Sequence, residues 1–256
     1  MIRSILSAFS FLTILPVRAG KISEPEFSSA PAWFPLTGFF LGSICLGMAQ
    51  LLSGKIPAQL ISFFILVFLA MITGGLHLDG LADWADSFAG RNPEQRLKIM
   101  KDSHHGSFGI IAIVLVLLGK FVAFNLLLEN DNLLMLALAP GLARLSLTLI
   151  LGTTPYARSE GGAGTLFAQG KKKWHLALAI ALGILPLITL WAGQAPPLLS
   201  GITGWISLGI VLILSFLFRW DGIRRLGGFT GDLLGASVEV CELAVLFSAA
   251  LVAKIF

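Results

Sequence analysis

From residue 33 onward the chain runs repeatedly through about 20 apolar residues before a polar or turn-forming break, and few folds accommodate that period. The runs cover residues 33–52, 58–76, 109–128, 133–152, 176–192, 198–218 and 236–256. As α-helices rising about 1.5 Å per residue they match a hydrocarbon layer of about 30 Å. Only 12% of the residues are charged and 56% are hydrophobic, whereas a soluble domain carries roughly 25% charge. Soluble domains are therefore excluded. The expected fold is all-α, a polytopic integral membrane helical bundle of about seven transmembrane helices, forming a single membrane domain over residues 1–256. A further apolar stretch from Ser4 to Val17 stops at Pro16 and is short for a straight span, so an interfacial or re-entrant segment is expected there. Its Val17-Arg18-Ala19-Gly20 flank lacks a good small-x-small site, which argues against a signal peptide.

The basic residues follow the same period. Arg18 and Lys21, then Arg91, Arg96, Lys98 and Lys101, then Arg158 with Lys171 to Lys173, then Arg219, Arg224 and Arg225 occupy every second connection. The alternate connections hold only Lys55. Basic residues in short loops are retained on the cytoplasmic side, so the basic loops are expected to face the cytoplasm. The net charge of +4 does not indicate nucleic acid, because the cations are dispersed among loops and not gathered on one soluble face. Cys45 and Cys241 each sit in an apolar run with no partner at ligand spacing, so neither a disulfide framework nor a zinc site follows.

The polar information is densest between residues 73 and 109. Asp79, Asp83 and Asp86 stand at i, i+4 and i+7, which stacks three carboxylates on one helix face. Like charges there repel one another, and a bound divalent cation would account for them; Mg²⁺ takes carboxylate oxygens and keeps water or phosphate oxygens as its other ligands. A solvated helix end with incidental acids is the alternative. His77 suits a ligand, a general base or a hydrogen-bonded interfacial residue. Arg96, Lys98, Lys101 and Asp102 follow, and cations beside a carboxylate cluster fit a site holding a metal and a phosphate together. The pair His104-His105 reads as a solvated loop. Two further basic-side loops, around Tyr156 and Arg158 and around Thr230 and Asp232, are glycine-flanked and can offer backbone N–H groups to phosphate. The catalytic loop region is thus placed at 73–109, with contributions from 153–175 and 219–235. Arg144 and Glu239 fall inside apolar runs, where ionisable groups are costly and count as functional candidates. Lys120 has the length to snorkel from its run.

These residues also carry a family resemblance. Thr73-Gly74-Gly75-Leu76-His77-Leu78-Asp79-Gly80-Leu81-Ala82-Asp83, followed by Asp86 and Lys101-Asp102-Ser103, resembles the cobalamin synthase family of adenosylcobinamide-GDP ribazoletransferases. Trp33-Phe34-Pro35, Ala139-Pro140 with Arg144, Tyr156-Ala157-Arg158 and Phe229-Thr230-Gly231-Asp232 extend the match along the chain. The resemblance implies a Mg²⁺-dependent, multi-pass enzyme of the cell inner membrane whose active site faces the cytoplasm. In that reaction α-ribazole or its 5′-phosphate attacks adenosylcobinamide-GDP and GMP leaves. On this basis His77, Asp79 and Asp83 are assigned to catalysis, and Asp79, Asp83, Asp86, Asp102 and Asp232 to metal. Arg96, Lys101, Ser103, Arg144, Tyr156, Arg158 and Thr230 are assigned to substrate. A homo-oligomer, or association with other corrinoid-pathway enzymes, is left open. The competing readings are a CDP-alcohol phosphotransferase-like phospholipid enzyme and a cation-coupled transporter, which would hold its acids near the bilayer midplane.

Overall fold

The computed structural model describes residues 1–17, 23–102, 104, 106–158, 163–169, 173–192 and 198–255. Among these the regular structure is helical, with one isolated parallel bridge between Tyr156 and Phe229. The apolar runs become α3 (Phe34–Leu52), α4 (Ala58–Ile72), α7 (Ser107–Glu129), α8 (Leu134–Thr153), α10 (Lys173–Ala192), α11 (Leu198–Leu226) and α12 (Gly231–Ile255). Between and before them lie the shorter α1 (Ile2–Leu12), α2 (Glu24–Ser28), α5 (Leu76–Asp86), α6 (Pro93–Ile99) and α9 (Ala163–Gln169).

Five helical stretches are long and apolar enough to cross a membrane: Ala30–Leu52, Ser107–Glu129, Leu134–Thr153, Gly201–Leu226 and Gly231–Val252. A bent pair, Ala58–Ile72 with Leu76–Ala89, brings the number to six among the described residues, where the sequence leads one to expect seven. The expected run 58–76 ends early because Gly74 and Gly75 take φ of +60° and +72°, a conformation that glycine alone adopts freely. The chain turns there by 84°. The apolar part of α10 falls in the shorter class. With 11 residues α1 is also too short to cross. After α1 the chain packs beside the bend, where Ile14 N–H donates to the Ile72 carbonyl at 2.8 Å.

The centre of the bundle is α8, whose apolar window is 83% buried. Against it lies α3, where a Cβ on Gly38 or Gly42 would collide with the backbone of Pro140 or Ala137. Small residues four apart allow this backbone approach where apolar burial drives little association. The helix α11, 29 residues long, reaches about 43 Å and outruns an apolar layer of about 30 Å. Its last turns dock on the end of α5: Trp84 Nε1 donates to Asp221 Oδ2 at 3.1 Å, and Arg225 Nε pairs with Asp221 at 2.8 Å.

Three intramembrane charges expected to be exposed or functional are instead partners. Lys120 is 4% exposed, and its Nζ donates to Glu239 at 2.7 Å and to Glu242 at 2.9 Å. It does not snorkel. Arg144 is 2% exposed and pairs with Glu242, so the expectation that Arg144 binds substrate is corrected to a buried structural pairing. The unpaired alternative would leave a charge in an apolar interior at a cost of several kcal/mol.

Candidate active site

Three stretches converge at the end of the bundle that carries the α4–α5 bend. The bend delivers His77 and Asp79 in the first turn of α5. Opposite, α12 starts at Gly231, capped by Thr230, whose Oγ1 accepts from the Leu233 N–H at 3.1 Å. That cap sets Asp232 in the first turn, where the helix dipole favours a carboxylate. The two helices approach closely because both carry glycine at the crossing. A Cβ on Gly80 would lie 2.9 Å from the Asp232 carbonyl, and one on Gly235 would lie 3.2 Å from the His77 carbonyl.

The third stretch follows α8. Phe229 N–H donates to the Pro155 carbonyl at 2.8 Å, and Ala157 N–H donates to the Phe229 carbonyl at 2.9 Å. Gly228 permits this seam, since a Cβ there would collide with the Pro155 carbonyl. The seam delivers Arg158, whose Nη2 donates to Asp232 Oδ2 at 2.8 Å.

Together these elements border a cavity of about 220 Å³ whose polar lining is His77, Asp79, Tyr156, Arg158 and Asp232. Phe11, Phe34, Phe167 and Phe229 line the rest with Leu12, Leu76, Leu147 and Leu234. His77 is 2% exposed, and both its ring nitrogens lack a hydrogen-bond partner among the described residues, as does Arg158 Nε. A buried polar atom without a partner typically costs about 1–3 kcal/mol, and the charged groups that act on the His77 ring are Arg144, Glu242 and Lys120 of the interior. A second, open cavity of about 590 Å³ adjoins the first, lined by Thr13, Ile14, Thr73, Gly74, Gly75 and Ile113 and sharing Phe11, Leu76 and Asp79 with it.

The structure separates the three carboxylates that spacing aligns. Asp79 and Asp86 share a helix face, but seven residues place them about 10 Å apart along the axis, too far to grip one ion. Asp86 faces α7 instead: its Oδ2 accepts from Gly106 N–H at 2.7 Å and its Oδ1 from Gly109 N–H at 2.9 Å. It serves as an anchor for the first turn of α7. Asp83 is half-buried and does not line the cavity. Asp102 is exposed and bonded to His104 Nδ1 at 2.8 Å, and the His104 side-chain and backbone hydrogen bonds hold its carboxyl below the usual carboxylate range.

Among the described residues no three His, Cys, Asp or Glu side chains gather into a metal cage. Asp79 and Asp232 lining one cavity nevertheless fit a hard cation that takes one or two carboxylates and fills its other positions with water and phosphate oxygens.

Of the residues assigned to substrate, Tyr156 and Arg158 line the cavity. Thr230 is fully buried and committed to its cap. Arg96 and Lys101 line neither cavity, and Arg96 packs under Gly90. Ser103 lies outside the described residues. The aromatic wall was missed because no motif links Phe11, Phe34, Phe167 and Phe229. The one signal was that Phe34 and Phe229 occur in segments that carry the family resemblance.

A family model described as cobalamin-5-phosphate synthase matches residues 4–250. The chain is 38% identical over 252 residues to an adenosylcobinamide-GDP ribazoletransferase of Chlorobaculum parvum, covering 98% of this chain and 96% of the relative. To the enzyme of the same description in Pseudomonas paraeruginosa it is 40% identical over 257 residues, covering 98% of each chain. To that of Syntrophobacter fumaroxidans it is 38% identical over 248 residues, covering 95% of this chain and 96% of the relative. No solved structure matches the chain.

Proposed function

The chain belongs to the cobalamin-5-phosphate synthase family, and on that premise we propose that it joins α-ribazole, or its 5′-phosphate, to adenosylcobinamide-GDP with release of GMP. The observation that carries this reading is the convergence of His77, Asp79, Arg158 and Asp232 on one cavity from stretches far apart in the chain. In the reaction a ribose hydroxyl attacks the phosphorus bonded to the cobinamide side, and the phosphoanhydride bond to GMP breaks. Arg158, already beside Asp232, orients a phosphate oxygen through its remaining N–H groups. His77 accepts the hydrogen bond of the attacking hydroxyl and then its proton, for which its unpartnered nitrogens suit it. Asp79 and Asp232 are the residues that would hold Mg²⁺. When bound, that ion supplies charge neutralisation at the transferring phosphoryl group.

The thirteen basic-loop cations (Arg18 to Arg225, named above) against the single Lys55 of the alternate connections support an active site on the cytoplasmic side of the inner membrane. The testing experiment follows GMP release from adenosylcobinamide-GDP by the full chain in detergent, with and without α-ribazole. Release that requires α-ribazole supports the reading. Release that is indifferent to α-ribazole, or absent with it, overturns the reading.

A further inference from the structure

Two long helices turn an apolar face away from the bundle, and the two faces end differently. On α7, Phe108, Ile111, Leu115 and Leu118 are each more than half exposed. The one cation of that helix, Lys120, is buried, so its outer face is apolar and carries no positive charge. On α11, Ile213, Phe216, Leu217 and Trp220 are 47–62% exposed, and the exposed Arg224 stands one turn further on. Residues 213, 217, 220 and 224 follow one another at steps of four, three and four, which places them on a single helix face. The opposite side of α11 is buried at Val211, Ser215 and Phe218.

Two adjacent arginines at this end meet different neighbours. Arg225 pairs with Asp221 Oδ1 at 2.8 Å and lies over the Phe88 ring at 4.7 Å. The second carboxylate oxygen of Asp221 accepts from Trp84 at 3.1 Å, so that acid is fully engaged. Arg224 lies over the Trp220 ring at 5.0 Å, and among the described residues no carboxylate pairs with it. The face of an indole attracts a guanidinium and leaves its N–H fork open to an oxyanion. From Ile213 to Arg224 the helix rises about 16 Å, close to the apolar half-thickness of one leaflet, about 15 Å. Tryptophan is the residue favoured at the boundary between apolar layer and headgroups.

We propose that the Trp220–Arg224 end of α11 is a docking site for one anionic phospholipid. Its phosphate is held by Arg224, its ester region lies beside Trp220, and an acyl chain runs along Leu217, Phe216 and Ile213. A zwitterionic lipid carries the same phosphate together with its own ammonium, which competes with Arg224 for it. A soluble acidic partner would match the arginine and leave the apolar stripe uncovered. A second copy in the same membrane orientation would bring Arg224 of each chain to the same level, like charge against like.

The test titrates the full chain in dodecyl maltoside with dioleoylphosphatidylglycerol or dioleoylphosphatidylcholine and reads the lipid-bound fraction by native mass spectrometry. The glycerol lipid should bind saturably and more tightly than the choline lipid. Arg224→Gln should weaken it about fivefold, the effect of one basic residue at an anionic surface, and Trp220→Leu about two- to fivefold through loss of the ring beneath the cation. Lys173→Gln removes an exposed charge from the start of α10 and should change binding by less than about twofold. Equal losses in Arg224→Gln and Lys173→Gln would reduce the site to diffuse surface charge and overturn the proposal, as would equal binding of the two lipids. Displacement of the bound lipid by excess inorganic phosphate would show an anion site with no call for the acyl chain, and a lipid-free dimer that Trp220→Leu dissociates would assign the stripe to a second copy; either overturns it. Because Arg224 is exposed, the unfolding midpoint of Arg224→Gln without lipid should match that of the unaltered chain. A lowered midpoint would make the arginine a structural contact and overturn the headgroup assignment.

Discussion

Charge is gathered in two regions of this molecule on opposite terms. In the interior, Lys120 and Arg144 stand against Glu239 and Glu242, each charge in an ion pair and each under a tenth exposed. At the end of the bundle, Asp79 and Asp232 share a cavity wall with Arg158, and His77 keeps both ring nitrogens unpartnered among the described residues. In the first region the charges balance, and it adjoins a void of about 10 Å³. The second faces a space of about 220 Å³. An ionisable residue inside a membrane helix is therefore a weak functional sign by itself. What distinguishes the site is the space that its polar groups line.

The comparison breaks most visibly if the interior network is upset. Lys120→Met leaves Glu239 and half of Glu242 without a counterion and should cost about 3–5 kcal/mol, seen as a lowered unfolding midpoint in detergent. Adding Glu239→Gln restores the balance, since Arg144 still pairs with Glu242. The double variant should recover to within about 1 kcal/mol and release GMP normally. A double variant as unstable as the single one would show that pairing is not what the network contributes.

At the cavity the same kind of change should spare the fold. Asp79→Asn is expected to lower GMP release about 100- to 1,000-fold with its unfolding midpoint unmoved. Asp83→Asn, one turn on and off the cavity wall, should lose less than about tenfold. Equal losses in both would return Asp83 to the site. His77→Gln should lower the rate about 100-fold and remove the acidic limb of the pH–rate profile. Survival of that limb at a reduced rate would make His77 an orienting contact and leave activation of the hydroxyl to the metal.

Two smaller effects sharpen the boundary. Asp86→Ala deprives the Gly106 and Gly109 N–H groups of their acceptor, and it should cost about 1.5–3 kcal/mol of stability, with activity falling only as folded protein is lost. Loss of activity at full stability would place Asp86 back among the metal ligands. Arg158→Lys keeps the charge but loses the planar fork, so a drop of about tenfold in kcat/KM for adenosylcobinamide-GDP is expected.

The bend and the buried pairs show where reading along the chain stops. Gly74-Gly75 was visible as a pair of glycines, yet hydropathy continued across it, so the run 58–76 looked like one span. The left-handed φ at both residues, and the 84° turn that follows, become evident only when the chain after α1 and the top of α12 are packed beside them. Arg144 in an apolar run looked functional for a sound energetic reason, but its counterion lies 98 positions away. Asp86 looked like a third ligand because helical spacing reports a face and says nothing of which neighbour that face meets at each turn.

Hydropathy, loop charge and spacing are properties of neighbouring residues. By themselves they determined the helical membrane class and the prominence of Asp79 and His77. Which side chains share a cavity depends on how helices pack, and no local pattern encodes that. Arg158 meets Asp232 across 74 positions and Lys120 meets Glu239 across 119. Phe11 joins Phe167 from the opposite half of the chain. Those pairings rest on glycine contacts between helices, such as Gly80 against the backbone at Asp232 and Gly38 against Pro140. There the absence of a side chain lets two backbones approach, and only the tertiary structure decides which two.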